Sequence, residues 1–217
     1  MGGATTGSLR NAAVRGTAVP PAEPDTATGW ATRLRDGATT RTRLAANGDL
    51  PYVNALHARC SRQSLMLRYL SGRQRLTAAE WRALAAPSAG LTWVTHPAGA
   101  PGHVVAVTHV LYTDRTPGSS AAGEAGRGPA ELALLIDDTW QSRGLGTALV
   151  TRAVAVARQR GHGELHALVL SDNRPALALA RVLGGVVTPQ GSQCTVRLPL
   201  PRRDGAAPDD LPLPTSV

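Results

Sequence analysis

Residues 137–149 read DDTWQSRGLGTAL: two acids, a tryptophan and an arginine, then Gly144 and Gly146 at the head of an Ala/Val-rich segment. Glycine has no Cβ and lets a backbone approach a bulky ligand, and the first turn of a helix leaves its N–H groups without partners. With the positive end of the helix dipole and Arg143 beside it, this is chemistry suited to a phosphate or pyrophosphate. A plain strand-to-helix turn, its glycines there for tight packing, accounts for the same pattern, because a short glycine motif is unspecific. The ligand class can be narrowed. A Walker A loop needs Gly-Lys-Ser/Thr, and all 23 basic residues of this chain are arginine. A dinucleotide fingerprint wants a third small residue where Leu149 stands and glycines tight against the strand end, whereas Asp138 to Arg143 intervene; Asp172 alone could imitate its ribose-binding acid.

Such a loop needs a strand before it and a helix after it. AELALLID ends at Asp137, and a helix is expected from near Gly144 to about Arg160. Upstream, residues 38–45 alternate as a half-buried strand, and Asn47-Gly48-Asp49 makes a turn and helix start. Apolar spacing from Leu50 to Ser71 predicts two short helices interrupted near Cys60-Ser61, and Thr77 with Glu80 forms a capping-box pattern for a third. Strands are predicted at 91–95 and 103–113, joined as a hairpin, with 114–129 a flexible surface loop. Downstream come a buried strand over 164–171, a helix over 175–183 stopped by Gly184-Gly185, and a last strand over 193–199. This order is that of a mixed α/β or α+β domain.

Two motifs in that order resemble the GNAT superfamily of N-acetyltransferases. Gln141-Ser142-Arg143-Gly144-Leu145-Gly146 is similar to its acyl-CoA pyrophosphate loop, Arg/Gln-x-x-Gly-x-Gly/Ala, after the fourth strand and before a long helix. Asn173, Ala176, Leu179 and Gly184 resemble its Asn-x-x-Ala-x-x-Leu-Tyr-x-x-x-Gly-Phe helix. The resemblance spans roughly residues 37 to 199 and implies a central mixed, mostly antiparallel sheet flanked by helices. It also implies acetyl-CoA as acyl donor, held by the backbone of Leu135, Ile136 and Asp137 and by Gln141, Ser142, Arg143, Gly144, Leu145, Gly146 and Thr147, with Asn173 steadying it. Ala180 and Gly185 stand where many members have Tyr and Phe; that Tyr would have protonated the leaving thiolate. A thiol of pKa about 8.5 is a tolerable leaving group without it. Tyr112, Ser171 and Cys194 are conceivable substitutes.

The acceptor also needs a base. A lysine-type amine of pKa about 10.4 is neutral in roughly one molecule in two thousand at pH 7, and only that form attacks a thioester. Ala130-Glu131-Leu132-Ala133 is similar to the Ala-Glu-hydrophobic-Ala strand of the bacterial protein-acetyltransferase-like branch, which implies Glu131 as the base, acting directly or through water. A solvated strand-edge carboxylate is the alternative. The segment 57–73 resembles that branch's early helices, which border the acceptor groove. His57 and Cys60 lack the partner spacing of a metal site, so core packing or helix-end hydrogen bonding is expected of His57, and no metal.

Charge and composition bound the partners. Residues 33–82 hold 10 Arg against three acids, a net +7, while 131–199 hold 7 Arg against 5 acids. A basic first third is either a solvated arginine face or a surface for acidic partners. An amine acceptor, small or a protein lysine in an acidic setting, fits; polycations do not. A nucleic-acid role would want aromatics among the arginines, and 33–82 offers only Tyr52, Tyr69 and Trp81. Two cysteines, no apolar run of membrane length and no secretory h-region lead us to expect a cytoplasmic setting. Residues 1–29 and 201–217 have the composition of disordered arms around a domain at 30–200. The rival to an acyltransferase is a non-catalytic acyl-CoA-binding sensor of the same fold, which Ala180 and Gly185 would suit.

Overall fold

A computed structural model of the chain describes residues 29–113 and 128–201. The expected disordered arms and the 114–129 loop lie outside the described residues, except for residues 29, 128, 129 and 201. One sheet holds eight strands: β1 (Gly29–Arg33), β2 (Thr39–Leu44), β3 (Gly90–Pro97), β4 (Ala106–Tyr112), β5 (Ala130–Ile136), β6 (Glu164–Leu170), β7 (Val186–Gln190) and β8 (Gln193–Pro199). Their spatial order is β1-β2-β3-β4-β5-β6-β8-β7. Every pairing is antiparallel except β5 with β6, so the sheet is mixed and mostly antiparallel, as expected.

Local signals account for the helices. Between α1 (Leu50–Arg59) and α2 (Arg62–Tyr69), Cys60 is extended and the Ser61 hydroxyl caps α2 by accepting from Ser64 N at 3.1 Å. The Thr77–Glu80 capping box opens α3 (Ala78–Ala85). Helix α4 (Leu145–Gln159) follows the glycine loop, and α5 (Arg174–Val182) starts at Asn173 with Pro175 in its first turn.

Helices α4 and α5 cover one face of the sheet, burying Val150, Ala153 and Leu177 against Leu132, Leu165 and Val196. Helices α1 to α3 cover the other, where Val53, Leu56 and Trp81 meet Val94, Val107 and Leu135. Strand alternation therefore sends Leu132 to the α4 side and Glu131, Ala133 and Leu135 to the α1–α3 side. Beneath the start of α1, Arg43 is clamped by Asp49 at 2.6 and 2.8 Å, both side chains buried, and Asp49 also accepts from Ala46 N at 2.7 Å.

Two strands were not predicted. Strands β1 and β7 are the sheet's edges, five residues each and largely exposed. A strand packed on little carries little apolar alternation, and Pro189 in β7 reads as a breaker although an edge tolerates it. Strand β4 also begins at Ala106, because residues 100–103 still belong to turns.

Candidate active site

Strands β5 and β6 meet through two rungs only, Ala130 to Leu165 and Glu131 to His166, and beyond these they part. The parting leaves one backbone edge of β5 open from Leu132 to Ile136. Asp137 N donates to Val105 O at 2.9 Å, and the alternation of an antiparallel ladder turns the Leu135 amide towards β4 as well. The amides of Leu134 and Ile136 face the gap. Of the three positions expected to offer backbone there, Ile136 does so, whereas Leu135 and Asp137 spend their amides on β4. The Asp137 side chain is a brace: it is buried, takes Arg59 Nε at 2.8 Å and accepts from Thr139 N and Oγ1 at 3.0 and 2.7 Å. These bonds hold its carboxyl below the usual range against the opposing effect of burial.

The open edge leads into the glycine loop. Ser142 (φ 59°) and Gly144 (φ 91°) are both left-handed, which curls the chain so that α4 begins with free amides. A Cβ on Gly144 would lie 3.4 Å from Cγ and Nε of Arg35. Arg35 N donates to Arg143 O at 3.1 Å, and Arg143 pairs with Asp36 at 2.9 Å while lying over the Trp140 ring. Together Thr32–Arg35, Arg143, Gly144, Thr147 and Ala148 enclose a cleft of about 220 Å³. Arg33 and Arg35 were missed as site residues; their clustering in the basic first third was the available signal, but nothing local tied it to this loop.

The remaining loop residues divide by role. Gln141 reaches back to Ser64 Oγ, Ile136 O and Asp138 Oδ1 at 3.1 to 3.2 Å, fastening the loop to α2. Leu145 is core, Gly146 lies against Ile136, and Thr147 lines the cleft. The Asn173 side-chain Oδ1 caps α5 by accepting from Ala176 N at 3.3 Å, so the structure gives this residue a helix-starting role.

Glu131 is exposed and makes no ion pair or hydrogen bond among the described residues. It has a layered polar surround on the α1–α3 face. Tyr69 stacks on His57, and the His57 Nε2 to Tyr69 Oη distance is 2.5 Å. His57 Nδ1 donates to Val53 O at 2.7 Å, so Nε2 accepts the tyrosine proton, and His57 is the helix-bonded core residue expected of it. Burial lowers the pKa of His57 and raises that of Tyr69. Behind them His109, fully buried, donates from Nδ1 to Thr92 Oγ1 at 2.9 Å, since that hydroxyl's own proton goes to Leu84 O. Burial pushes its pKa down to about 3.

The family model of GNAT acetyltransferases matches residues 59–184, from the end of α1 through the glycine loop to the end of α5. The chain belongs to the GNAT family. Its fold is similar to the GNAT domain of S. lividans PAT, with a TM-score of 0.67 at 22% identity over 79% of this chain and 97% of that one. It is also similar to yncA from Salmonella typhimurium, a structure that holds its cofactor acetyl-CoA, with a TM-score of 0.57 at 19% identity over 79% of this chain and 99% of that one. A cAMP-binding acyltransferase from Mycobacterium smegmatis matches 79% of this GNAT chain with 48% of its own, with a TM-score of 0.51 at 22% identity. No curated protein sequence matches.

As a GNAT domain this one departs at the helix after β6. Ala180 is buried in the α4–α5 core, and a Cβ on Gly185 would lie 2.8 Å from Ala180 O and 2.9 Å from Leu198, so no larger side chain fits there unaltered. Of the conceivable stand-ins for the missing Tyr, Tyr112 lies at the closed end of β5 opposite Ala130, stacked on His162, and Cys194 is core. Ser171 is exposed, with its hydroxyl donating to Ser192 O at 3.0 Å. Among the described residues no group of three or more His, Cys, Asp or Glu could hold a metal, and no helix is long and apolar enough to cross a membrane.

Proposed function

We propose that this GNAT protein transfers acetyl from acetyl-CoA directly to an amine, with residues 30–200 as the catalytic domain. The observation that carries it is the open β5 edge, with the glycine-loop cleft at one end and the free carboxylate of Glu131 at the other. The residues fit the donor: the cradle at Gly144 would be filled by a Cβ, three arginines and the first amides of α4 suit pyrophosphate and phosphate, and the amides of Leu134 and Ile136 suit pantetheine. In this reading Glu131 takes a proton from the acceptor ammonium, directly or through water, and the neutral amine attacks the thioester carbonyl. The C–N bond forms, an open-edge amide stabilises the oxyanion, and the C–S bond breaks. The nitrogen sheds its second proton to solvent as the amide forms, and the thiolate takes one from solvent, which suits a site with Ala180 in place of a helix acid.

Direct transfer is favoured over an acyl-enzyme because burial, aided by the charges of Asp138 and Asp137, pushes the Cys60 thiol up to about 12. A thiol that stays protonated is a poor nucleophile. Acetyl-CoA titrated into the protein in a calorimeter tests the donor, and thiol release over a panel of amines and protein substrates tests the transfer. Absence of heat sinks the whole reading. Binding without thiol release from any acceptor supports the second reading, a non-catalytic acyl-CoA sensor, which Ala180 and Gly185 favour.

A further inference from the structure

Arg68 on α2, like Arg33 and Arg35 at the glycine loop, has no ion-pair partner among the described residues. Arg43, Arg59, Arg73, Arg143 and Arg197 are each paired with a carboxylate, whereas Arg68 makes no ion pair or hydrogen bond among the described residues. It lies across the Tyr69 ring, 4.6 Å from the centroid, on α2, the helix that packs against β5 and β6. Its Nε is shut off from solvent with no acceptor, a costly state for a charged donor. The charge of Glu131 acts on it, yet the two side chains stay beyond ion-pair distance. A second orphan lies in the same neighbourhood: Nε2 of fully buried His109 is an acceptor without a donor, and Arg68 is among the charges acting on that ring.

A free carboxylate, an unpaired guanidinium held short of it and a buried acceptor behind them form a site with one place for a cation and one for an anion. We propose that the acceptor amine carries a carboxylate close to its nitrogen, in the manner of a free amino acid, and that Arg68 binds this carboxylate while Glu131 meets the amine. The inference rests on the reading of Glu131 as the base. It favours a small amino acid over a protein lysine, whose neighbouring groups are neutral amides. Arginine suits the task because its fork engages a carboxylate through two parallel N–H donors.

The experiment compares free amino acids with their carboxamides and decarboxylated amines as acceptors, read by thiol release from acetyl-CoA. The expected result is a kcat/KM at least tenfold higher for the acids. Arg68→Gln should bring that ratio close to one whatever the absolute rate, Arg68→Lys should retain part of it, and Arg62→Gln, at an exposed position of the same helix, should keep it whole. Amides that match or exceed the acids overturn the proposal, as does a preference that survives Arg68→Gln. If acetyl-CoA binds but no amine releases thiol, the catalytic reading fails separately. The carboxylate site is then decided by NMR titration of N-acetyl amino acids into the CoA-saturated protein: shifts in the wild type that vanish in Arg68→Gln sustain it, and no shifts overturn it.

Discussion

Glu131 and His166 are register partners at the second of the two rungs that join β5 to β6, and their side chains rise from the same face of the sheet. His166 is itself held by Glu164, with Nε2 to Oε2 at 2.7 Å, and Glu164 also takes Arg197 at 2.7 Å. These contacts lower the Glu164 carboxyl to about 2, so the group that holds His166 stays ionised at working pH. The last closed rung of the sheet is thus where the proposed base stands, beside the point where the two strands part.

Replacing Glu131 with Gln keeps the shape and removes the base. The expected outcome is a kcat/KM lower by about 10²- to 10⁴-fold, the usual contribution of general base catalysis. Acetyl-CoA affinity should stay within twofold by calorimetry. The variant's residual rate should climb about tenfold per pH unit below the amine's pKa, as the free amine accumulates. An unchanged rate across pH removes Glu131 from the mechanism.

Gly144 has a left-handed backbone, and a Cβ there would sit in van der Waals contact with Arg35. Gly144→Ala places a Cβ against Arg35 in a left-handed conformation that costs about 1–2 kcal/mol for an L-residue. A rise in the acetyl-CoA dissociation constant of about tenfold or more is expected. Arg35→Ala and Arg33→Ala should each weaken binding about three- to tenfold, and raising the salt should shrink the difference, because exposed charges are screened. Salt-independent affinity in all three proteins would place the phosphates elsewhere.

Asn173 has been given two roles, helix cap and cofactor contact, and they separate on substitution. Asn173→Ala should lower stability by about 1 kcal/mol through loss of the cap. Asn173→Asp keeps the cap and adds a negative charge. If it restores stability while acetyl-CoA binds more weakly, the residue serves the donor as well; restored stability with unchanged affinity makes it a cap alone.

Arg43 and Asp49 form a buried pair whose halves cannot be removed singly without cost. Asp49→Ala strands the guanidinium and the Ala46 amide, and about 3–5 kcal/mol of stability should be lost in denaturant titration. A loss under 1 kcal/mol would mean that water reaches Arg43.

Acid should destabilise this fold in two windows. Burial lowers the pKa of His57 and His96, and that of His109 to about 3, so the unfolded chain, with histidines near 6.5, binds more protons than the folded one below that value. Their contribution is fully present above about pH 6.5 and is lost progressively as pH falls towards 3. Carboxylates with lowered values, Asp137 and Asp138 among them, are also present above their unfolded pKa and are lost at still lower pH. Denaturant midpoints should fall between pH 6.5 and 4.5, before the carboxylates titrate. His109→Gln, although less stable at pH 7, should show a flatter slope; an equal slope would clear His109 of the effect.

Local chemistry was legible without coordinates. The capping box at Thr77, the break between α1 and α2 near Cys60-Ser61, the turn at Asn47-Gly48, and the strand, glycine loop and long helix from Glu131 to Gln159 lie within segments whose signals act over a few neighbouring residues, whereas the caps at Ser61 and Asn173 emerged only from the structure. From these alone follow the mixed order of elements, the position of the glycine turn and the resemblance to the GNAT family. What remained was decided by sheet order and packing. Strands β1 and β7 exist because partners lend them hydrogen bonds that their own exposed sequences do not demand. Arg33 and Arg35 meet Arg143 only because Leu34 packs under α4 with Leu145 and Leu149. Arg68 is carried without an ion-pair partner on α2, which packs against β5 and β6, and His109 is buried because β4 is central. Sequence spacing encodes which groups are available; tertiary burial decides which of them are left without partners and so are free to bind.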